Sequence, residues 1–246
     1  IFAPTHQQLD VTNKPEVEAY IKHIQPDQIV YSIGFTSIDQ APTHVSEALD
    51  LNVLGVSNVA SIAAAKKIPV HYLSTEVVFN GYKDNAPYNE NDRPDPLSLN
   101  AKLKRLGELV TLDASSYNSI IRLIICYSSY YERKPDIARL TARNLSEGKV
   151  FVSTGDQEIN PIYVKHLIRA ISLVIDNRAS GIYHVGAKDY TTPAEFCKKI
   201  ARSLRLDPAL IETTTFNQFS KTRPEPRPQH EWLDVSKFLK DFGQDG

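Results

Sequence analysis

Three short apolar runs separated by helical patterns set the strongest limit on how this chain can fold. Residues 28–33 (QIVYSI), 70–73 (VHYL) and 119–127 (SIIRLIICY) each read as a buried strand. An Ala-, Leu- and Val-rich helical pattern over 46–67 joins the first to the second, and another running to about Asp113 joins the second to the third. Strands joined by helical crossovers pair in parallel, and their alternation with helices gives an α/β sheet covered by helices. An earlier helix starts after Thr12 or Asn13, either of which can cap it, with Pro15 near its first turn and Val17, Tyr20, Ile21 and Ile24 at helical spacing. Downstream, 135–145 reads as a helix ended by Gly148, 150–152 as a short strand and 163–174 as a helix. Thr191 or Thr192 caps a further helix, with Pro193 in its first turn and Phe196, Ile200 and Leu204 on one face.

In open α/β sheets, ligands bind outside the C-terminal ends of the strands. The run 70–73 stops at Ser74, Thr75 and Glu76, a loop rich in Gly, Asn, Asp and Pro follows over 80–95, and then comes a helical pattern holding Lys104. Thr75 and Lys104 are therefore the first candidates for a site. Gly34, Phe35 and Thr36 end the run 28–33; a small residue there lets the backbone approach a phosphate or ribose, although any α/β protein has such a turn. Asn52 lies in the apolar 46–67 helix, where a polar side chain needs a buried partner.

The net charge of -1 provides no basic field for nucleic acid or anionic lipid. The two cysteines, Cys126 and Cys197, lack metal-ligand spacing and read as buried, inert thiols, so no metal is expected. No apolar run approaches the ~18 residues of a membrane span, and no signal peptide is visible; a reducing cytoplasm is the expected setting. His184 reads as a satisfied core histidine. Residues 222–228 (TRPEPRP) are too rich in proline for a helix or central strand.

Three blocks, STEVVFNG (74–81), PYNEND (87–92) and PLSLNAKLKRLGE (96–108), follow the patterns S-T-D-Y-V-F-D-G, P-Y-x-E-x-D and P-L-N-x-Y-G-x-x-K-L-x-G-E without a gap. In these the chain resembles the dTDP-4-dehydrorhamnose reductases, the RmlD-like family of extended short-chain dehydrogenases/reductases. The regulatory β-subunit of methionine adenosyltransferase, built on the same fold, belongs to the same resemblance. It extends over residues 9–240 through LDVT (9–12), DQEINPIYV (156–164), GIYHVG (181–186) and LDVSK (233–237). It implies a Rossmann-type parallel sheet with a smaller C-terminal substrate lobe. The cofactor domain would span 1–128 plus about 159–187, and the lobe about 129–158 plus 188–246. NADP or NAD would lie against Asp10, Val11, Gly34, Phe35, Thr36, Asn52, Leu73 and Lys104. A nucleotide-linked 4-keto-6-deoxy sugar, such as dTDP-4-dehydrorhamnose, would meet Thr75, Glu76, Ile125 and Arg227. The Arg227 guanidinium either clamps a diphosphate or is a solvated group in an extended tail.

The chain departs from this family at three places. Family enzymes protonate the product alkoxide with a Tyr four residues before the Lys, the two facing the same way on a helix, the ammonium lowering the phenol's pKa. Asn100 occupies that position. Its amide, expected to point at the cleft, does not titrate usefully. Losing a general acid costs about 10²–10⁴ in rate, and Asn100→Tyr is expected to recover that factor. Ile125 takes the place of an aromatic residue, and with Ile159 and Ile162 it is expected to make the substrate wall more apolar. Related chains also carry a strand, a Gly-rich turn and a helix ahead of the position of Ile1. No G-x-x-G-x-x-G turn occurs in 1–246, nor does any Met, and tight dinucleotide binding is expected only with such a unit. Two readings remain: a reductase, or a catalytically inactive ligand-binding regulatory subunit, as a homodimer or in a regulatory hetero-complex.

Overall fold

The structure, a computed structural model, describes residues 1–83, 86–129 and 135–243. In chain order its strands are β1 (Ile29–Tyr31), β2 (Val70–Thr75), β3 (Ser119–Leu123), β4 (Cys126–Tyr127), β5 (Phe151–Thr154), β6 (Ile162–Tyr163), β7 (Gly181–Val185) and β8 (Ile211–Thr214). Its helices are α1 (Lys14–Ile24), α2 (Val45–Leu49), α3 (Gly55–Ala65), α4 (Leu99–Ala114), α5 (Ile137–Ser146), α6 (Val164–Asp176), α7 (Pro193–Ser203), α8 (Phe216–Ser220) and α9 (Ser236–Phe242). A four-stranded sheet runs β1-β2-β3-β7 with every pairing parallel. This is the Rossmann-type α/β architecture. Strand β7 reaches the sheet after a long excursion that includes β4, β5 and β6; β4 pairs in parallel with β6, and β5 with β8, which follows β7.

The apolar runs pack on both faces of the sheet. On one side Val17 and Ile21 of α1, Val56, Val59 and Ile62 of α3, and Tyr31, Val70, Tyr72 and Ile120 of the strands form one core. On the other, Ile121, Tyr183 and Val185 meet Leu167, Ala170 and Val174 of α6 and Phe238 of α9. A separate cluster of Leu145, Cys197, Ala201 and Ile211 holds α5 and α7 against the β5-β8 pair. Asn13 caps α1, Thr192 caps α7 and Gly148 follows α5 at positive φ, each closing its helix as the sequence indicates.

Several sequence expectations need correction. The run 119–127 is two strands, because the chain leaves the main sheet after Leu123 and Cys126 and Tyr127 pair with Ile162 and Tyr163. Cys126 is exposed there, while Cys197 is buried. The 46–67 helix is interrupted by one π-helical turn, Asp50–Leu54, between α2 and α3. The whole stretch Val45–Ala65 is 21 residues and, by length and composition, apolar enough to cross a membrane. Its apolar character is used inside the fold instead, where Ala48, Val56, Ala60 and Ala63 are fully buried.

The three motif blocks meet in a buried polar network. Ser74 of β2, Arg122 of β3 and His184 of β7 lie in one lateral row of the sheet. Glu108 of α4 accepts from Ser74 Oγ (2.6 Å) and from Arg122 Nε and Nη2 (2.8 and 2.9 Å). Arg105 Nη1 donates to the same carboxylate from one turn earlier, at 2.7 Å. His184 Nδ1 lies 3.0 Å from the Tyr88 carbonyl, so it must donate, and Nε2 accepts from Arg122 Nη1 at 3.2 Å. That tautomer is neutral, and burial with the neighbouring guanidinium lowers His184 to about 3. Glu90 closes the network by accepting the His184 backbone N–H at 3.0 Å. His184 is thus a satisfied core histidine.

Candidate active site at the ends of β1 and β2

Helix α4 presents Asn100, Lys104, Glu108 and Thr111 on one buried stripe, as four-residue spacing requires. Ser98 caps it, accepting from the Ala101 N–H, and Glu225 accepts the Leu99 N–H at 3.1 Å. Lys104 Nζ donates to the Leu73 carbonyl at 3.0 Å and lies 4.7 Å from the centroid of the Tyr72 ring. Burial lowers its pKa to about 8, partly opposed by Glu108, so the ammonium persists at neutrality.

The turn after β1 is held beside it. Asn52, in the π-helical turn, accepts the Phe35 N–H (3.0 Å) and donates to the Phe35 carbonyl (3.2 Å). Asn100 Nδ2 donates to the same carbonyl at 2.6 Å. Gly34 faces this cluster: a Cβ there would lie 2.7 Å from Asn52 Oδ1 and 3.0 Å from Lys104 Nζ. Gly107 allows the close approach from behind, since a Cβ would come within 2.5 Å of the Asn52 carbonyl and the Tyr72 hydroxyl. Gly34, Phe35, Asn52, Leu73, Asn100 and Lys104 therefore form one connected site.

The other candidates lie around or beyond it. Thr75 closes β2, and its hydroxyl is engaged with Glu76 Oε2 at 2.6 Å. Thr36 is exposed just past the Phe35 clamp. Asp10 turns back on Thr12, accepting from its N–H and hydroxyl, and Val11 packs into the core. Asn100 departs from expectation: it is 4% exposed and its amide is spent on Phe35 rather than directed into open space. Ile159 and Ile162 are likewise core residues, and Ile125 packs against the cluster around Ile159, so they do not form an open apolar wall.

The proline-rich segment crosses to the β1 side. Arg227 Nη2 pairs with Asp39 Oδ2 at 2.9 Å and Nη1 donates to the Glu225 carbonyl at 3.1 Å. An anion reaching Arg227 must therefore share it with Asp39. The same segment rests on the loop after β2 through His230 N–H to the Gly81 carbonyl, and on Gln157, whose side chain donates to the Pro228 carbonyl. Sequence reasoning missed Glu231 and Tyr72. Glu231 is an acidic residue between His230 and Trp232, and Tyr72 a core-strand aromatic, so neither carried a distinguishing local signal.

A buried ammonium on the helix after a Ser-Thr strand end, facing a glycine turn in a parallel sheet, defines a dinucleotide-fold protein of the short-chain dehydrogenase type. The chain belongs to the RmlD substrate binding domain family, whose model matches residues 1–245. It is 30% identical to the spore coat polysaccharide biosynthesis protein SpsK of Bacillus subtilis, over 95% of this chain and 80% of that protein. It is 27% identical to the dTDP-4-dehydrorhamnose reductase of Aggregatibacter actinomycetemcomitans, over 99% and 84%. The methionine adenosyltransferase 2 subunit beta of Danio rerio is 26% identical, over 95% and 72%. The crystal structure of dTDP-4-dehydrorhamnose reductase from Bacillus anthracis in complex with NADP superposes with a TM-score of 0.87 at 23% identity, covering 100% of this chain and 90% of that one.

Proposed function

We propose that this chain is an NAD(P)-dependent reductase of a nucleotide-linked 4-keto-6-deoxy sugar. The observation that carries the reading is the buried Lys104 ammonium held against the Gly34 turn at the ends of β1 and β2. A Cβ at Gly34 would lie 3.0 Å from Nζ, and among the described residues one of the three ammonium donors is engaged, by the Leu73 carbonyl. The remaining donors suit the hydroxyls of a nicotinamide ribose, and the doubly held Phe35 backbone keeps the turn rigid against them. The cofactor would supply the hydride. Thr75, at the end of β2, would hold the sugar carbonyl, while Arg227 and Asp39 would border the diphosphate.

A second reading, a ligand-binding regulatory subunit, draws on Asn100. Its amide is buried and committed to Phe35, so position 100 offers no acid. Titration of the full-length protein with NADPH and NADH, followed by cofactor oxidation with dTDP-4-dehydrorhamnose, separates the two. The reductase reading expects binding and turnover. It also expects Lys104→Met and Gly34→Val to weaken cofactor binding about ten- to hundredfold, the worth of a charge-assisted hydrogen bond. Binding without turnover favours the regulatory reading, and no cofactor binding overturns the reductase reading.

A further inference from the structure

The surroundings of Thr75 extend the reductase reading, on which this inference rests. Glu76 follows Thr75 directly and is buried, with its Oε2 2.6 Å from Thr75 Oγ1. Glu231 arrives from the C-terminal segment, is buried as well, and is fixed by its backbone N–H donating to the Glu158 carbonyl at 2.8 Å. Charge on Glu76 opposes ionisation of Glu231. We propose that the Glu76 carboxyl, acting through the Thr75 hydroxyl it is bonded to, supplies the product's proton in place of the phenol that position 100 lacks.

The hydrogen-bonding capacity of Thr75 permits the relay. A hydroxyl has one donor and two acceptor sites. Thr75 Oγ1 accepts from the Val77 N–H at 3.4 Å. In the structure the Thr75 hydroxyl donates to Glu76 Oε2; when Glu76 is protonated the bond reverses, its O–H donates to the remaining lone pair, and the Thr75 hydrogen is released towards a bound carbonyl oxygen. With a nicotinamide cofactor as hydride donor, the carbonyl carbon gains the hydride and the C=O π pair moves to oxygen. That oxygen takes the Thr75 proton, Thr75 takes the Glu76 proton, and Glu76 is left as a carboxylate. Water refills it.

The electrostatics keep protons on both carboxyls. Burial pushes Glu76 up to about 7, against the hydrogen bonds from Thr75 and the backbone. Burial and then the Glu76 charge push Glu231 well above the carboxylate range, while Arg227 pulls the other way. A further titratable neighbour among the described residues is Cys126 of β4, whose thiol is raised by burial, by Asp136 and by the Glu76 charge. A donor that titrates near neutrality is matched to acid catalysis there.

Two measurements on the full-length protein test the proposal. Infrared titration should show a protonated buried carboxyl lost through about pH 7 and missing in Glu76→Gln. In the sugar reduction assay, Glu76→Gln should lower kcat by about 10²–10⁴ with KM and cofactor affinity nearly unchanged, and Glu76→Asp should recover part of the loss. Wild-type kcat should fall as pH rises through the infrared midpoint. A Glu76 carboxyl already ionised well below neutrality overturns the proposal, as does Glu76→Gln turning over like an active wild type. Wild type that binds cofactor and sugar but reduces nothing overturns the reductase reading, and this proposal with it.

Discussion

At the scale of single residues, the site is organised by which amide serves the Phe35 peptide. Asn52 supplies both an acceptor and a donor, whereas Asn100 adds a second donor to a carbonyl already served. Asn52→Ala should therefore cost about 1–3 kcal/mol, the penalty of a buried polar group left unpaired, and Asn100→Ala only about 1 kcal/mol. Chemical denaturation measures both, and equal costs would contradict this division. The same packing revises the gain expected from Asn100→Tyr. The larger ring must displace an amide held at 2.6 Å in a nearly closed space, so the variant should lose about 1–3 kcal/mol to overpacking and melt at a lower temperature. Asn52 was legible because a polar group on an apolar helical face calls for a partner, and Lys104 because it lies on the helix that follows a strand end. The commitment of Asn100 was not, because its acceptor is a backbone carbonyl that spacing within α4 does not reveal.

Among the elements, α4 and the strands beneath it depend on one ion pair. Glu108 and Arg122 are completely buried and joined by two hydrogen bonds. Arg122 overcomes the burial that would raise Glu108 and holds its carboxyl below the ordinary range. Breaking such a pair strands a buried charge, so Glu108→Ala should destabilise by about 3–5 kcal/mol. Glu108→Leu combined with Arg122→Met should cost markedly less than the sum of the single changes, which a double-mutant cycle in urea would register. The sequence made the longer helices and three of the main strands readable because their periods are regular; the short α8 and α9 gave no such signal. It did not reveal that 119–127 splits, since Ile124 and Ile125 continue the apolar run while β4 changes its partner to β6. That pairing is a property of the tertiary fold.

For the molecule as a whole, buried titratable groups give stability a two-sided pH dependence. Burial lowers His71 to about 4, and burial with Arg122 lowers His184 to about 3. The unfolded chain therefore binds protons that the native state refuses, and stability falls as pH drops below about 6.5, by at most about 1.4 kcal/mol per unit per histidine. Glu76 acts in the opposite sense. Raised to about 7, it binds a proton in the native state that the unfolded chain has lost, so its contribution declines as pH rises from about 4.5 to 7. Glu231, raised as well by burial and the Glu76 charge, adds to it, so two raised carboxyls oppose two lowered histidines, and denaturant midpoints of wild type should change little between about pH 4.5 and 6.5 and fall below that range. Removing the carboxyl in Glu76→Gln should expose a clear rise over the same interval. A flat profile in that variant would show that the histidines do not carry the acid loss.

The segment that crosses the cleft also orders events in time. Glu225 holds the first turn of α4, Arg227 holds Asp39, and Leu233 reaches back to Asn160. On a ribosome these residues are made after every strand of the main sheet has been synthesised. A nascent chain can thus assemble β1, β2, β3 and β7 while the end of α4 and the Asp39 loop still await their partners. The binding crevice is then completed only once residues 225–233 have emerged, and translation stalled before Glu225 would leave a folded sheet with an unfinished site.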